Sequence, residues 1–331
     1  MSRMERLPRT GVRRRAALPA GTYIPLGTMA PRHDYGLLSR KAPALAGDLA
    51  FRRFCVPRFS EYRTRDHPLL VARARHHLRD AKVTRLMTRV GEVATYELLP
   101  DPRTDGGLPG SILVVHGWTS EASFMSALAE PLRRSGFRVV LADCPAHGRS
   151  RGERTNLVAC AQAMVQVTDE FGPFNGIVAH SMGALAALMA GAGERPLTHP
   201  VVFDKYCLIA APNKFSEVTN RFADRLGVSV RARRQFERQL ERISHMPMQA
   251  FCGERFLAIV RRPALVIHSK DDHEVPFHNA IELTESSNGV TLLALEGLGH
   301  RRVLYAPPVV RAVVGFFRDG AAPPGSTNHA V

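Results

Sequence analysis

From Val83 to Phe317 short β-branched and apolar runs alternate with longer stretches of helical period. That alternation is what a mainly parallel sheet covered by helices on both faces requires. Thr88 to Leu99 reads as a strand or hairpin with a turn at Gly91. Ser111–Val115, Phe137–Ala142 and Phe174–Ala179 read as buried strands, because their apolar runs are nearly continuous rather than alternating. Helices are predicted between them, over Ser123–Arg134 (closed by Gly136), Leu157–Glu170 and the Ala-rich Ala184–Ala192. Strands at Tyr206–Ala210, Ala264–His268 and Thr291–Leu295 follow, then a terminal helix over Pro308–Phe317.

Two regions depart from this rhythm. Asn213 to Arg262 is polar and helical in pattern and is far longer than an ordinary connection, so it is expected to be an inserted helical lid. The first residues, up to Asp48, are rich in Pro, Gly and Arg and show no period, while some helix is expected between Leu49 and Asp80, across His67-Pro68. The expected organisation is therefore a basic extension over 1–82, an α/β core over 83–212 and 263–319, a lid over 213–262 and a flexible tail over 320–331.

At 331 residues with 45% apolar content, the chain can bury a large core. It has no apolar run of the roughly 20 residues that a spanning helix needs. Nor does its basic N-terminus lead into the apolar stretch of a secretory signal. The cysteines, Cys55, Cys144, Cys160, Cys207 and Cys252, are odd in number and scattered. A reducing cytoplasm is the expected compartment, and neither a disulfide framework nor a zinc site is expected. The net charge is +15, and residues 1–60 carry twelve Lys/Arg against three Asp/Glu, including Arg13-Arg14-Arg15. A second excess lies at Arg231, Arg233, Arg234, Arg238 and Arg242. Both excesses read first as a solvated basic tail and the solvent face of a lid helix, with contact between the basic N-terminus and an anionic surface as the alternative, and no aromatics interleave with the arginines as base stacking would want, which argues against nucleic acid.

The chemistry is concentrated where strands end. In Ala179-His180-Ser181-Met182-Gly183 a strand runs straight into a helix. So sharp a turn strains its central residue and lifts Ser181 clear of the sheet, and it demands very small residues two before and two after. Gly183 meets that demand, and Ala179 stands where a glycine is usual. A serine hydroxyl needs an adjacent base, itself held by an acid. Asp272 follows the strand Ala264–His268, and His300 follows Thr291–Leu295 within Gly297-Leu298-Gly299-His300. Asp271 is the alternative acid. Without this chemistry, Ser181 would be a plain helix N-cap and His300 a surface histidine. His268, Asp272 and His273 could be read as metal ligands, but no further cluster completes a set.

Together His116-Gly117-Trp118 after one strand, Asp143-x-Pro145-x-His147-Gly148-x-Ser150 after the next, the serine elbow, and Asp272-x-x-Val275-Pro276 followed by Gly297-x-Gly299-His300 resemble the α/β-hydrolase superfamily over Thr88–Phe317. The resemblance implies a doubly wound, mainly parallel α/β sheet with an inserted lid. It implies Ser181, Asp272 and His300 as a catalytic triad, an oxyanion hole of the Trp118 and Met182 N–H groups, and no cofactor or metal. His116, Gly117, His180 and Gly183 would shape elbow and pocket, with the histidines, His147 among them, holding backbone groups. The expected reaction is hydrolysis of a carboxylic ester, thioester or related acyl bond of a small molecule. Alternatives on the same frame are acyl transfer, C–C bond hydrolysis, or ligand binding without turnover. Lid residues Phe215, Phe222, Phe236, Met246, Met248, Phe251 and Phe256 suggest an apolar substrate.

Overall fold

A computed structural model describes residues 32–57, 67–101 and 110–319. The basic run at Arg13–Arg15 and the tail from 320 lie outside the described residues. Eight strands form one sheet: β1 (Lys82–Thr88), β2 (Gly91–Leu98), β3 (Ser111–Val115), β4 (Arg138–Ala142), β5 (Phe174–His180), β6 (Phe203–Ile209), β7 (Ala264–Ser269) and β8 (Val290–Leu295). Their spatial order is β1-β2-β4-β3-β5-β6-β7-β8. The β1–β2 hairpin and the β2–β4 pair are antiparallel, and every later pairing is parallel.

Burial on both faces explains the apolar runs. Along β3, Leu113 and Val115 enter one apolar cluster while Ile112 and Val114 enter the other, as the two-residue side-chain period requires. Helices α4 (Ser126–Arg134) and α12 (Pro307–Asp319) cover the second face. The first is covered by α5 (Leu157–Phe171), α6 (Met182–Ala192), α9 (Gly253–Val260) and α10 (His278–Glu285). From β3 the chain passes outward to β4, then returns across β3 to β5. The crevice at the carboxyl ends of β3 and β5 is thus a topological switch point, where such sheets place their sites.

The structure departs from the sequence expectations in four places. The hairpin begins at Lys82, with Gly91 (φ +114°) opening its second strand; β1 is an exposed edge with little apolar alternation to announce it. Of the segment expected to be aperiodic up to Asp48, the described residues are helical, in α1 (Arg32–Lys41) and α2 (Pro43–Phe54). Its buried face is mostly small, with Ala46, Gly47 and Ala50 before Phe54, so it resembles a loop until its tertiary partner is present. Helix α10 had not been expected, and α4 is preceded by a 3-10 turn over Ala122–Met125.

Between β6 and β7 lie α7 (Phe215–Leu226), α8 (Val230–Ser244) and α9. Helix α9 packs under the sheet beside α6, where Val260 approaches Gly191. Helices α7 and α8 instead pack with α1 and α2 in a cap. A Cβ on Gly47 would stand 2.3 Å from the Ala232 carbonyl oxygen, so glycine sets how closely α2 lies on α8. Asp48 Oδ1 accepts a 2.8 Å hydrogen bond from Gln235 and a second from Gln239. Farther on, α3 (His67–His76) is tied to the core by Arg75, which donates from Nε and an Nη to the two carboxylate oxygens of buried Glu121 at 2.8 and 2.7 Å.

Candidate active site

Ser181 sits between β5 and α6 with φ +54° and ψ −128°. For a residue with a side chain this region costs about 1–3 kcal/mol, so the surroundings must impose it. They do so through a 2.8 Å hydrogen bond from the Ser181 N–H to the Ile209 carbonyl and through close packing. A Cβ on Gly183 would lie 2.3 Å from the His116 carbonyl oxygen. One on Gly117 would lie 2.8 Å from both Ser181 Cβ and His180 Nδ1. Ala179 is wholly buried, and its methyl group fits where a glycine is usual.

His300 arrives on α11 (Gly299–Arg302), after β8. Its Nε2 is 3.0 Å from Ser181 Oγ, and its Nδ1 is 2.7 Å from Asp272 Oδ2. Asp272 Oδ1 accepts from the N–H groups of Glu274 and Val275 at 2.8 and 2.9 Å. His268 Nε2 stands 3.4 Å from Oδ2 and donates to the Val275 carbonyl at 2.9 Å. Burial opposes ionisation of Asp272, but the hydrogen bonds from His268, His300 and Val275 outweigh it and hold the carboxyl well below its ordinary range. With Asp272 ionised, Nδ1 of His300 carries the proton and Nε2 is left to accept from the serine hydroxyl.

Asp271 points elsewhere. It accepts from Ser269 Oγ at 2.5 Å and from the Gly299 N–H at 3.4 Å. Ser269 Oγ in turn accepts from the N–H groups of Leu298 and Gly299, each at 3.2 Å. Asp271 therefore secures the loop that carries His300, while Asp272 meets its ring. His180 donates from Nε2 to the His300 carbonyl at 2.9 Å; burial first, then the nearby His300, holds its ring well below the ordinary histidine range.

The remaining candidates shape the crevice wall. His116 Nε2 accepts from the Cys144 N–H at 2.9 Å, with Nδ1 on the Gly117 carbonyl at 2.7 Å. His147 Nε2 accepts from the Thr119 N–H at 3.2 Å and its Nδ1 donates to the Pro145 carbonyl at 2.9 Å. Burial pushes the His147 ring down to about 3. Asp143 anchors the same loops, accepting from the N–H groups of Ala122 and Arg149 and from the Tyr96 hydroxyl. Trp118 and Met182 border a small cavity with Cys144 and Cys160. Met182 opens α6, so its N–H has no acceptor within the helix.

Two contributors were not singled out for these positions from sequence. His268 was weighed only as a metal ligand, yet it buttresses Asp272. Phe54, far away in sequence, lies parallel to Trp118 at 5.6 Å between ring centroids. It also meets Phe215, Phe222 and Phe236 edge-on at 5.1–5.9 Å. Through Phe54 the cap reaches Trp118, and Ser181 and His300 are only 9% and 8% exposed. No sequence signal links Phe54 to Trp118, because the contact exists only after α2 has docked.

A family model described as the alpha/beta hydrolase family matches residues 112–313, and the chain belongs to that family. Among curated proteins none matches the sequence. Among solved structures, an esterase of Pyrococcus furiosus is similar at TM-score 0.54 and 19% identity, over 73% of this chain and 93% of that one. Est1E of Butyrivibrio proteoclasticus with bound ferulic acid has TM-score 0.56 and 18% identity, over 70% and 97%. A membrane phospholipase A described as a bacterial virulence factor has TM-score 0.54 and 14% identity, over 86% and 96%. At these identities the likeness is one of fold.

Proposed function

We propose that the chain is a serine hydrolase that cleaves a carboxylic ester, thioester or related acyl bond through an acyl-serine intermediate. The observation that carries this reading is His300 placed between Ser181 Oγ and Asp272 Oδ2, at 3.0 and 2.7 Å. Both distances lie within hydrogen-bond reach of a nucleophile–base–acid relay. His300 takes the serine proton as Oγ attacks the acyl carbon, and Asp272 steadies the imidazolium that forms. The backbone N–H groups of Trp118 and Met182 receive the developing oxyanion. His300 then protonates the leaving alcohol or thiol, and water, deprotonated by the same ring, releases the acid.

Phe54 joins Trp118 and Phe222 in an aromatic cluster next to Gly117, which packs against Ser181, and such a cluster suits an apolar acyl or alkyl group. The solved structures similar in fold include an esterase and a phospholipase, both named for cleaving such bonds. The five cysteines are free and buried, as befits a reducing compartment. Among the described residues no helix is long and apolar enough to cross a membrane.

A fluorophosphonate probe, with the adduct mapped by mass spectrometry, tests the reading. Labelling at Ser181 that disappears in Ser181→Ala is expected, along with turnover of p-nitrophenyl acetate. A folded protein inert to both reagents would overturn it.

A further inference from the structure

The cap has two unlike faces. Inward it presents Phe54, Phe222 and Phe236 to Trp118 and to one another. Outward, α1 exposes Leu37 (58%) beside Arg40 and Lys41, and α2 exposes Leu45 (51%) and Leu49 (37%) beside Arg52. On α8 the exposed arginines are Arg231, Arg234, Arg238 and Arg242, a spacing that lines them along a single helix flank, and Val230 (64%) and Ile243 (40%) are exposed at its two ends. Helices α2 and α8 are joined edge to edge through Gly47 and the Asp48–Gln235–Gln239 hydrogen bonds, so their outward flanks form a continuous surface.

Among the described residues none of these cations makes an ion pair. Nearby carboxylates are otherwise engaged. Asp48 is held by two glutamines, Asp224 pairs with Arg233, and Glu241 accepts from the Met248 N–H. Half-buried Glu237 lies within electrostatic range of Arg233 and Arg234 but forms no ion pair with either. Solubility alone explains arginines, but not aliphatic side chains standing among them. The exposed apolar groups are leucines rather than aromatic rings, and stacking on bases needs rings. Leucines flanked by Arg and Lys on helices lying parallel to the surface are what the acyl–headgroup boundary of an anionic bilayer accepts.

We propose that the outward face of α1, α2 and α8 docks on the surface of an anionic lipid bilayer. Leu37, Leu45 and Leu49 enter the headgroup boundary, and Arg52, Arg234 and Arg238 meet the lipid phosphates. This inference concerns the outer face and does not depend on the chemistry assigned to Ser181.

The test is co-sedimentation of the full chain with vesicles of phosphatidylcholine alone or mixed with phosphatidylglycerol. Binding to the mixed vesicles, weakened by salt and absent from the neutral ones, is expected. Arg234→Gln with Arg238→Gln should weaken binding roughly 30-fold, from about one factor of five per cation at such a surface. Leu45→Ser with Leu49→Ser should weaken it by about tenfold or more. A second leucine–arginine set, Leu37→Ser and Arg231→Gln with Arg242→Gln, repeats the comparison if one pair disturbs folding. No binding to phosphatidylglycerol vesicles at low salt would overturn the proposal. So would binding that all these variants leave unchanged. A loss in the arginine variants with none in the leucine variants would also overturn it, marking a general polyanion surface instead.

Discussion

Phe54 lies parallel to Trp118, 5.6 Å away and 13° out of plane, although the two residues belong to opposite ends of the architecture. One closes the second helix of the N-terminal region, and the other follows the central strand of the sheet. Helix α2 therefore packs against the neighbour of Gly117, whose backbone lies against Ser181. Phe54→Ala should cost about 3–5 kcal/mol in urea unfolding, since it empties the centre of an aromatic cluster. It should also raise KM for p-nitrophenyl esters of long acyl chains more than for the acetate. Equal effects on both esters would mean that the ring serves stability alone.

The acid of the site can be assigned by substitution. Asp272→Asn should lower kcat about 10⁴-fold while leaving the fold intact, because His300 loses the partner that sets its tautomer. Asp271→Asn, whose carboxylate meets Ser269 and the Gly299 N–H, should change kcat by about threefold at most. Steady-state kinetics with p-nitrophenyl acetate reads both; a larger loss at Asp271 would invert the assignment.

The elbow is sterically closed. Gly183→Ala places a methyl group 2.3 Å from the His116 carbonyl oxygen, and backbone cannot give way as a side-chain tip can. A loss of about 1–3 kcal/mol is expected. Labelling of Ser181 by fluorophosphonate should also slow, because the displaced His116–Trp118 segment is the one expected to receive the oxyanion. Unchanged melting and labelling would show that the segment is looser than its packing implies.

Stability should fall with acid in two stages. Burial holds His116, His147 and His180 below the ordinary histidine range, His147 at about 3. A depressed histidine contributes stability that is full above about 6.5 and is lost as pH falls, since the unfolded chain takes the proton first. Each can add up to about 1.4 kcal/mol per pH unit to the slope. Asp272 is depressed by the hydrogen bonds that outweigh its burial, and Glu121 by Arg75 and Ser123 against its own burial. Their contribution is lost only below about pH 4. Asp143, raised by burial, acts in the opposite sense and partly offsets them. Urea midpoints at pH 7.5 and 5.5 check the first stage, and His147→Gln should flatten the difference. A midpoint independent of pH across that interval would refute the buried neutral rings.

What the sequence made legible follows from where its constraints are local. The strands β3 and β5 are buried on both faces, so their apolar runs stand out. Ser181, with Gly183 two residues on, is conspicuous because a strand entering a helix leaves no room for larger groups. Asp272 and His300 are legible as residues at strand ends. The choice between Asp271 and Asp272 was not, since adjacent carboxylates differ only in where the loop aims them. Helices α1 and α2 were hidden for a different reason. Ala46, Gly47 and Ala50 carry little hydrophobic signal, and they suit a helix only because Ala232 and Gln235 lie so close.

The hydrogen bonds from Gln235 and Gln239 to Asp48 span 187 and 191 positions of chain, and that span has a consequence during synthesis. When α2 leaves the ribosome its partner α8 has not been made, and at about 5–20 residues per second roughly 10–40 s pass before it is. Throughout that interval Ala46, Ala50 and Phe54 have no cap to enter, while the strands between them and α8 can already begin to pair. The nascent chain therefore carries α2 with Phe54 uncovered through that interval, and closure of the cap becomes a late event in folding.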